Sequence, residues 1–158
     1  MPHSDPQDRP NRHHWPPILY VAVIAGAWLW QWLAPLPALL PPLSARLIGW
    51  PLFALGFGIG MIALWRFHRV GTSFDPTAPA TRLATDGIYR FTRNPMYLGA
   101  IAAFLGFGLA WPSTPLMLLT IPLAYALTKL AIEREEAYLE RRFGDEYRNY
   151  KAQVRRWL

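Results

Sequence analysis

Two short stretches hold most of the residues whose types could do chemistry. The first is Arg93-Asn94-Pro95-Met96-Tyr97-Leu98-Gly99, preceded by Asp86-Gly87-Ile88-Tyr89-Arg90. Asp86-Gly87 is a turn signal. Asn94-Pro95 reads as an N-cap followed by proline at the first helical position, so a helix should begin here. Its unpaired backbone N–H groups, beside Arg90 and Arg93, would suit an anion. The plainer role is that Asn94 only caps while the arginines anchor to headgroups. The second stretch is Glu135-Glu136, inside a charged segment from Ile132 to Arg142. Carboxylates there could serve as general bases or bind ammonium and hydroxyl groups. They could equally form ordinary i, i+4 pairs with nearby bases. Adjacent helical residues point about 100° apart, so the two cannot both meet one small site head-on.

Composition removes several other chemistries. There is no cysteine, which excludes disulfide scaffolds, cysteine nucleophiles and thiolate metal sites. His3, His13, His14 and His68 show no metal-ligand spacing, and no metal site is predicted. His68 follows an apolar run and reads as interfacial, with catalysis the lesser alternative.

The elements that must hold these residues are membrane helices. The chain has 158 residues, enough for one domain, with 53% hydrophobic and only 16% charged. From Trp15 to Trp65 the only formal charge is Arg46, and from Asn94 to Thr128 there is none. Each stretch exceeds one span of about 20 residues and fits two. Spans are expected near 17–35, 46–66, 95–111 and 114–132. Pro35, Pro37, Pro41 and Pro42 break the first pair, and Trp111-Pro112-Ser113-Thr114-Pro115 the second. Four such helices leave too little polar surface for a soluble fold. The first reads as a retained helix, since no small-residue cleavage site follows it. The predicted fold class is all-α: a multi-span membrane helical protein of about four transmembrane helices. A mobile polar tail, 1–14, precedes a single domain, 15–158.

The C-terminal part, 133–158, should be cytoplasmic helix. The fourth span continues to Phe143, Gly144 stops it, and Asp145 caps a second helix. Tyr147, Tyr150, Val154 and Trp157 or Leu158 recur on it at helical spacing, as in an amphipathic helix lying at the membrane surface. Trp28, Trp30, Trp32, Trp50, Trp65 and Trp111 read as an interfacial belt. Gly56, Gly58 and Gly60 read as a close-packing face, with approach of a ligand the minor alternative.

The net charge of +6, from 14 Arg and 2 Lys, is a topology signal. All but Arg46 fall in the N-terminal tail, the loop 66–93 or the tail from Lys129. Both termini and the central loop are therefore expected to be cytoplasmic. No nucleic-acid-binding motif accompanies the charge, so nucleic acid is not an expected partner.

The order Arg93-Asn94-Pro95-Met96-Tyr97-Leu98-Gly99, then Glu135-Glu136-x-x-Leu139-x-x-x-Phe143-Gly144-x-x-Tyr147-x-x-Tyr150, resembles the isoprenylcysteine carboxyl methyltransferases. The layout is similar to the membrane phospholipid methyltransferases too. The resemblance covers about 66–158, with compatible hydropathy before it. It implies transfer of a methyl group from S-adenosylmethionine to a lipophilic acceptor that enters from the bilayer. It implies that Arg93, Asn94, Pro95, Tyr97, Gly99, Glu135 and Glu136 bind the cofactor. Asn94 stands where the carboxyl methyltransferases usually have histidine, which puts in doubt any step needing an imidazole there. The chemistry is compatible: arginine suits the cofactor's carboxylate, carboxylates its ammonium or ribose hydroxyls, and tyrosine faces its sulfonium. Should the acceptor be a protonated amine, Glu135 or Glu136 is the catalytic base. A lipid amine, a thiol and a small carboxylic acid all stay open as acceptors, and so does the oligomeric state. A nicotinamide-dependent reductase on a related scaffold, or a non-enzymatic membrane protein, fits the same residues. The arginine-rich short chain suggests a bacterial inner membrane.

Overall fold

The computed structural model describes residues 14–71 and 80–158. Most of the expected tail, and 72–79 of the central loop, lie outside the described residues. The described chain is helical, with no strand. Its elements are α1 (Trp15–Leu33), α2 (Pro42–Val70), a 3₁₀ turn (Gly87–Arg90), α3 (Pro95–Ala110), α4 (Thr114–Leu127), a π-helical turn (Thr128–Ile132), α5 (Glu133–Phe143) and α6 (Asp145–Gln153).

Prolines start the four apolar helices rather than merely separating them. Each of α1 to α4 has proline in its first two positions, where the missing N–H costs nothing. That is why α2 begins four residues earlier than expected. It also runs on to Gly71, whose left-handed backbone (φ 73°) ends it. Pro51 and Pro122 sit inside α2 and α4.

Among the described residues, three helices are long and apolar enough to cross a membrane: α1, α2 and the continuous helix Thr114–Phe143. The sequence suggested about four. The remaining helix, α3, has 16 residues and a length of about 24 Å, less than the roughly 30 Å hydrocarbon core. It compensates by lying flush against α2. A Cβ at Gly49 or Gly56 would overlap the α3 backbone near Gly106 or Gly99, and one at Gly99 or Gly106 would overlap α2. Both pairs are seven residues apart and run in opposite directions. They define an antiparallel crossing in which backbones touch and dispersion replaces the missing hydrophobic drive. Gly58 and Gly60 behave differently, since a Cβ on either meets nothing within 4 Å. Of the expected glycine face, only Gly56 therefore needs its bare backbone for packing.

The π-helical turn joins α4 to α5 without a break. One extra residue in that turn rephases α5 on α4. Leu127, Ala131 and Ile132 pack with Leu123 and Tyr97, and Tyr20 and Trp157 close over them. A second cluster lies at the charged end of the bundle: Ala63, Ala84, Tyr89, Tyr147 and Tyr150, flanked by Phe67, Leu139 and Phe143. The Arg66 guanidinium is bound in two places by Asp86, and this fixes the turn before Tyr89 to the end of α2. Tyr138 accepts the Ala80 N–H (2.9 Å).

Two expectations about the C-terminal part are corrected. Gly144, with φ 54°, caps α6, whereas Asp145 is its first residue and accepts from Arg148 (2.6 Å). The helix also stops at Gln153, and Val154 is extended. The carbonyls beyond it are held by another segment, which pulls the chain out of helix. Tyr147 and Tyr150 are buried in the protein core, so the apolar face of α6 packs on protein rather than lipid.

Candidate functional site

A cavity of about 870 Å³ opens where α1, α2, α3, α5 and α6 converge. Its wall includes every residue singled out in the sequence as a binding candidate: Arg93, Asn94, Pro95, Tyr97, Gly99, Glu135 and Glu136. Arg90 and His68 are exposed and outside that wall.

The polar end is built from two separate carboxylate systems. Tyr97, near the start of α3, donates to Glu135 Oε1 at 2.6 Å. Glu136 is clamped between two guanidinium groups. Arg93 Nη2 donates to its Oε1 at 2.9 Å, and Arg156 Nη2 donates to its Oε2 at 2.7 Å. The side chains of Arg93 and Glu136 are only 9% and 8% exposed. The hydrogen bonds from Arg156 and Arg93 offset the cost of burying this carboxylate. The neighbouring glutamates thus diverge as helix geometry requires, each to its own partners. The cavity is wide enough for both to line it.

The extended segment after α6 is a strap over this end. Arg93 Nη1 donates to the carbonyls of Val154 (2.7 Å) and Lys151 (3.0 Å), and its backbone N–H to Arg155 O (3.0 Å). Thr92 Oγ1 and Asn94 Nδ2 both donate to Arg156 O, at 3.1 and 3.0 Å. Asn94 precedes α3, yet its side chain makes no capping bond. The expected cap is replaced by a bond to the strap. Arg93 is likewise already engaged by Glu136, where an exogenous anion was expected.

Three contributors were not singled out as site residues in the sequence. Arg156 stands in no recognisable spacing with Glu136. Tyr147 was read as a helix-face residue. Tyr89 follows the Asp86-Gly87 turn, its ring stacks on Phe67 at 5.2 Å, and it is 4% exposed. Its hydroxyl is buried with no hydrogen-bond partner among the described residues, and the residue lines the cavity. Burial, then Tyr150 and Glu135, push that hydroxyl above the ordinary phenol range, so it is a donor at neutral pH. Buried donors without partners are rare and point to a missing acceptor.

Away from this polar end the wall is apolar. Gly56, Phe57, Gly60, Met61 and Leu64 on α2 face Ala100 and Ala103 on α3. Two of these lining residues, Phe57 and Met61, are also 58% and 48% exposed. The cavity thus has polar groups at one bundle end and an apolar arm running into the bundle.

The chain belongs to the phospholipid methyltransferase family, whose model matches residues 44–146. Among its relatives, methanethiol S-methyltransferase 1 of Bradyrhizobium diazoefficiens is 33% identical over 87% of this chain and 51% of its own length. Methanethiol S-methyltransferase of Pseudomonas deceptionensis is 30% identical over 85% of this chain and 53% of its own. Protein-S-isoprenylcysteine O-methyltransferase of Schizosaccharomyces pombe is 31% identical over 61% and 45%. The chain therefore spans about half the length of these named relatives.

Proposed function

We propose that this protein transfers a methyl group from S-adenosylmethionine to a small lipophilic thiol at the cytoplasmic face of a bacterial inner membrane. The observation that carries the reading is the single cavity joining a polar end, with Glu135, Tyr97 and the unpartnered Tyr89 hydroxyl, to an apolar arm. A volume of about 870 Å³ lies in the upper range of ligand pockets, room enough for a nucleoside cofactor and a small acceptor. Glu135 suits the cofactor's ammonium or ribose hydroxyls, and Tyr89 offers a donor to any acceptor atom. The thiol is favoured over an amine or carboxylate because the two relatives aligned over most of this chain are named for methanethiol.

When bound, S-adenosylmethionine would supply an electrophilic methyl carbon for the thiol sulfur and a neutral thioether as the leaving group. Glu135 receives the thiol proton, and Tyr97 aims its carboxylate by donating to Oε1. Glu136 has a positioning part: it draws Arg93 and Arg156 together and so holds the strap over the site. The apolar walls exclude water. Asn94 contributes through the strap, which removes the need for an imidazole at that position.

The test is calorimetry on detergent-purified protein with S-adenosylmethionine, S-adenosylhomocysteine and NADPH. Micromolar binding of an adenosyl ligand is expected. Binding of NADPH instead would replace this reading with a reductase, and binding of none of the three by folded protein would replace it with a non-enzymatic scaffold.

A further inference from the structure

We infer that Gly60 sets how long an alkyl chain the acceptor can carry. The inference rests on the methyltransferase reading and deepens it. Four glycines on α2 and α3 lack side chains because backbones touch there. Gly60 is not one of them: its Cβ would meet nothing within 4 Å, yet it lines the cavity. Its missing side chain therefore enlarges the cavity instead of permitting helix packing. Its place along the helices gives the enlargement a meaning. The Gly60 backbone lies against Gly99, while one turn deeper Gly56 lies against Ala103. The cavity wall continues past Gly60 to Gly56, Phe57 and Ala103. From Tyr97 to Ala103 is six residues, about 9 Å along the α3 axis. Gly60 stands between the carboxylate end and this apolar arm. Among the described residues the arm has no polar side chain on its wall, so its occupant is the hydrocarbon part of the acceptor, with the reacting sulfur left near Glu135.

A side chain at Gly60 should fill part of the passage into the arm. Gly58 supplies a matched control, since a Cβ there also meets open space but Gly58 does not line the cavity. Dissociation constants would be measured for ethanethiol, butanethiol, octanethiol and dodecanethiol, with S-adenosylhomocysteine present, on wild type, Gly60→Leu and Gly58→Leu. In the wild type, affinity should rise with chain length until the arm is full. In Gly60→Leu the rise should stop earlier, with a loss of about fourfold for each methylene kept out. Ethanethiol and the adenosyl ligand should bind as before, and Gly58→Leu should match the wild type. Equal losses for short and long thiols, or none, would overturn the assignment. So would a wild type that binds the adenosyl ligand but no alkanethiol, an outcome that leaves the methyltransferase reading standing. Failure of wild type to bind the adenosyl ligand would instead remove that reading and this inference with it. Should Gly60→Leu not insert, Gly60→Val gives the same comparison with a smaller plug.

Discussion

Tyr89 offers the sharpest test at the level of single residues, because structure and function pull its substitution in opposite directions. Removing an unpartnered buried hydroxyl should relieve a desolvation cost of about 1–3 kcal/mol. Tyr89→Phe is thus expected to raise thermal stability while weakening S-adenosylmethionine binding about three- to tenfold, read by melting and calorimetry on the same preparation. Lower stability would show that the hydroxyl has a structural partner. Glu135→Gln keeps the Tyr97 bond but cannot take a proton. It should lower kcat about 10²-fold or more, and an unchanged kcat would remove Glu135 as the base. Glu136 behaves otherwise. Glu136→Gln leaves two guanidiniums without their shared carboxylate and should destabilise the fold by about 3 kcal/mol or more, read as a lower melting temperature; an unchanged melting temperature would show that the clamp does not hold the fold. The candidate residues themselves could be read from the sequence because Arg-Asn-Pro-x-Tyr-x-Gly and Glu-Glu are local patterns. Their partnerships could not. Nothing in the spacing of Arg93, Glu136 and Arg156 says that two guanidiniums share one carboxylate, since that depends on where a non-helical strap crosses.

Among the elements, hydropathy and proline placement located the apolar helices, but their ends shifted for physical reasons. Pro35, Pro37, Pro41 and Pro112 lie in the expected breaks while Pro42 and Pro115 begin the helices that follow, and α6 stopped early because the 92–94 segment captures carbonyls past Gln153. The glycine pattern was legible only in part. Gly56 was found, whereas Gly49 and Gly106 emerge only once the antiparallel register is known. That register makes a prediction. Gly106→Leu should prevent α3 from lying flush on α2 and abolish stable folded protein in detergent, as judged by size-exclusion profile and melting. Gly58→Leu should be tolerated. Equal tolerance would mean that the α2–α3 contact does not hold the site. The strap is testable apart from the bundle. Arg156→Ala should leave insertion intact but loosen residues 154–158, seen as faster hydrogen exchange there, and weaken cofactor binding.

Taken as one body, the protein concentrates charge at one end. The end of α2, the segment 80–93, the π-helical turn, α5, α6 and the segment after it carry every described Lys and Arg except Arg46, which sits near the opposite end of α2. By the positive-inside rule, a reporter fused after Leu158 should be active only in the cytoplasm, and activity outside would invert the proposed topology. The gross membrane class was evident from composition, because segregated charge survives any error in helix ends. The cavity was not evident, since it arises from five elements that meet only in three dimensions.

The exposure of Phe57 and Met61 on that cavity's wall has a kinetic consequence. An acceptor entering beside them is drawn from a two-dimensional solution, and its effective concentration is a mole fraction in lipid. Adding inert phospholipid at fixed total acceptor should then slow turnover by dilution alone. Different acceptors should fall on one saturation curve once each is corrected for its partition coefficient.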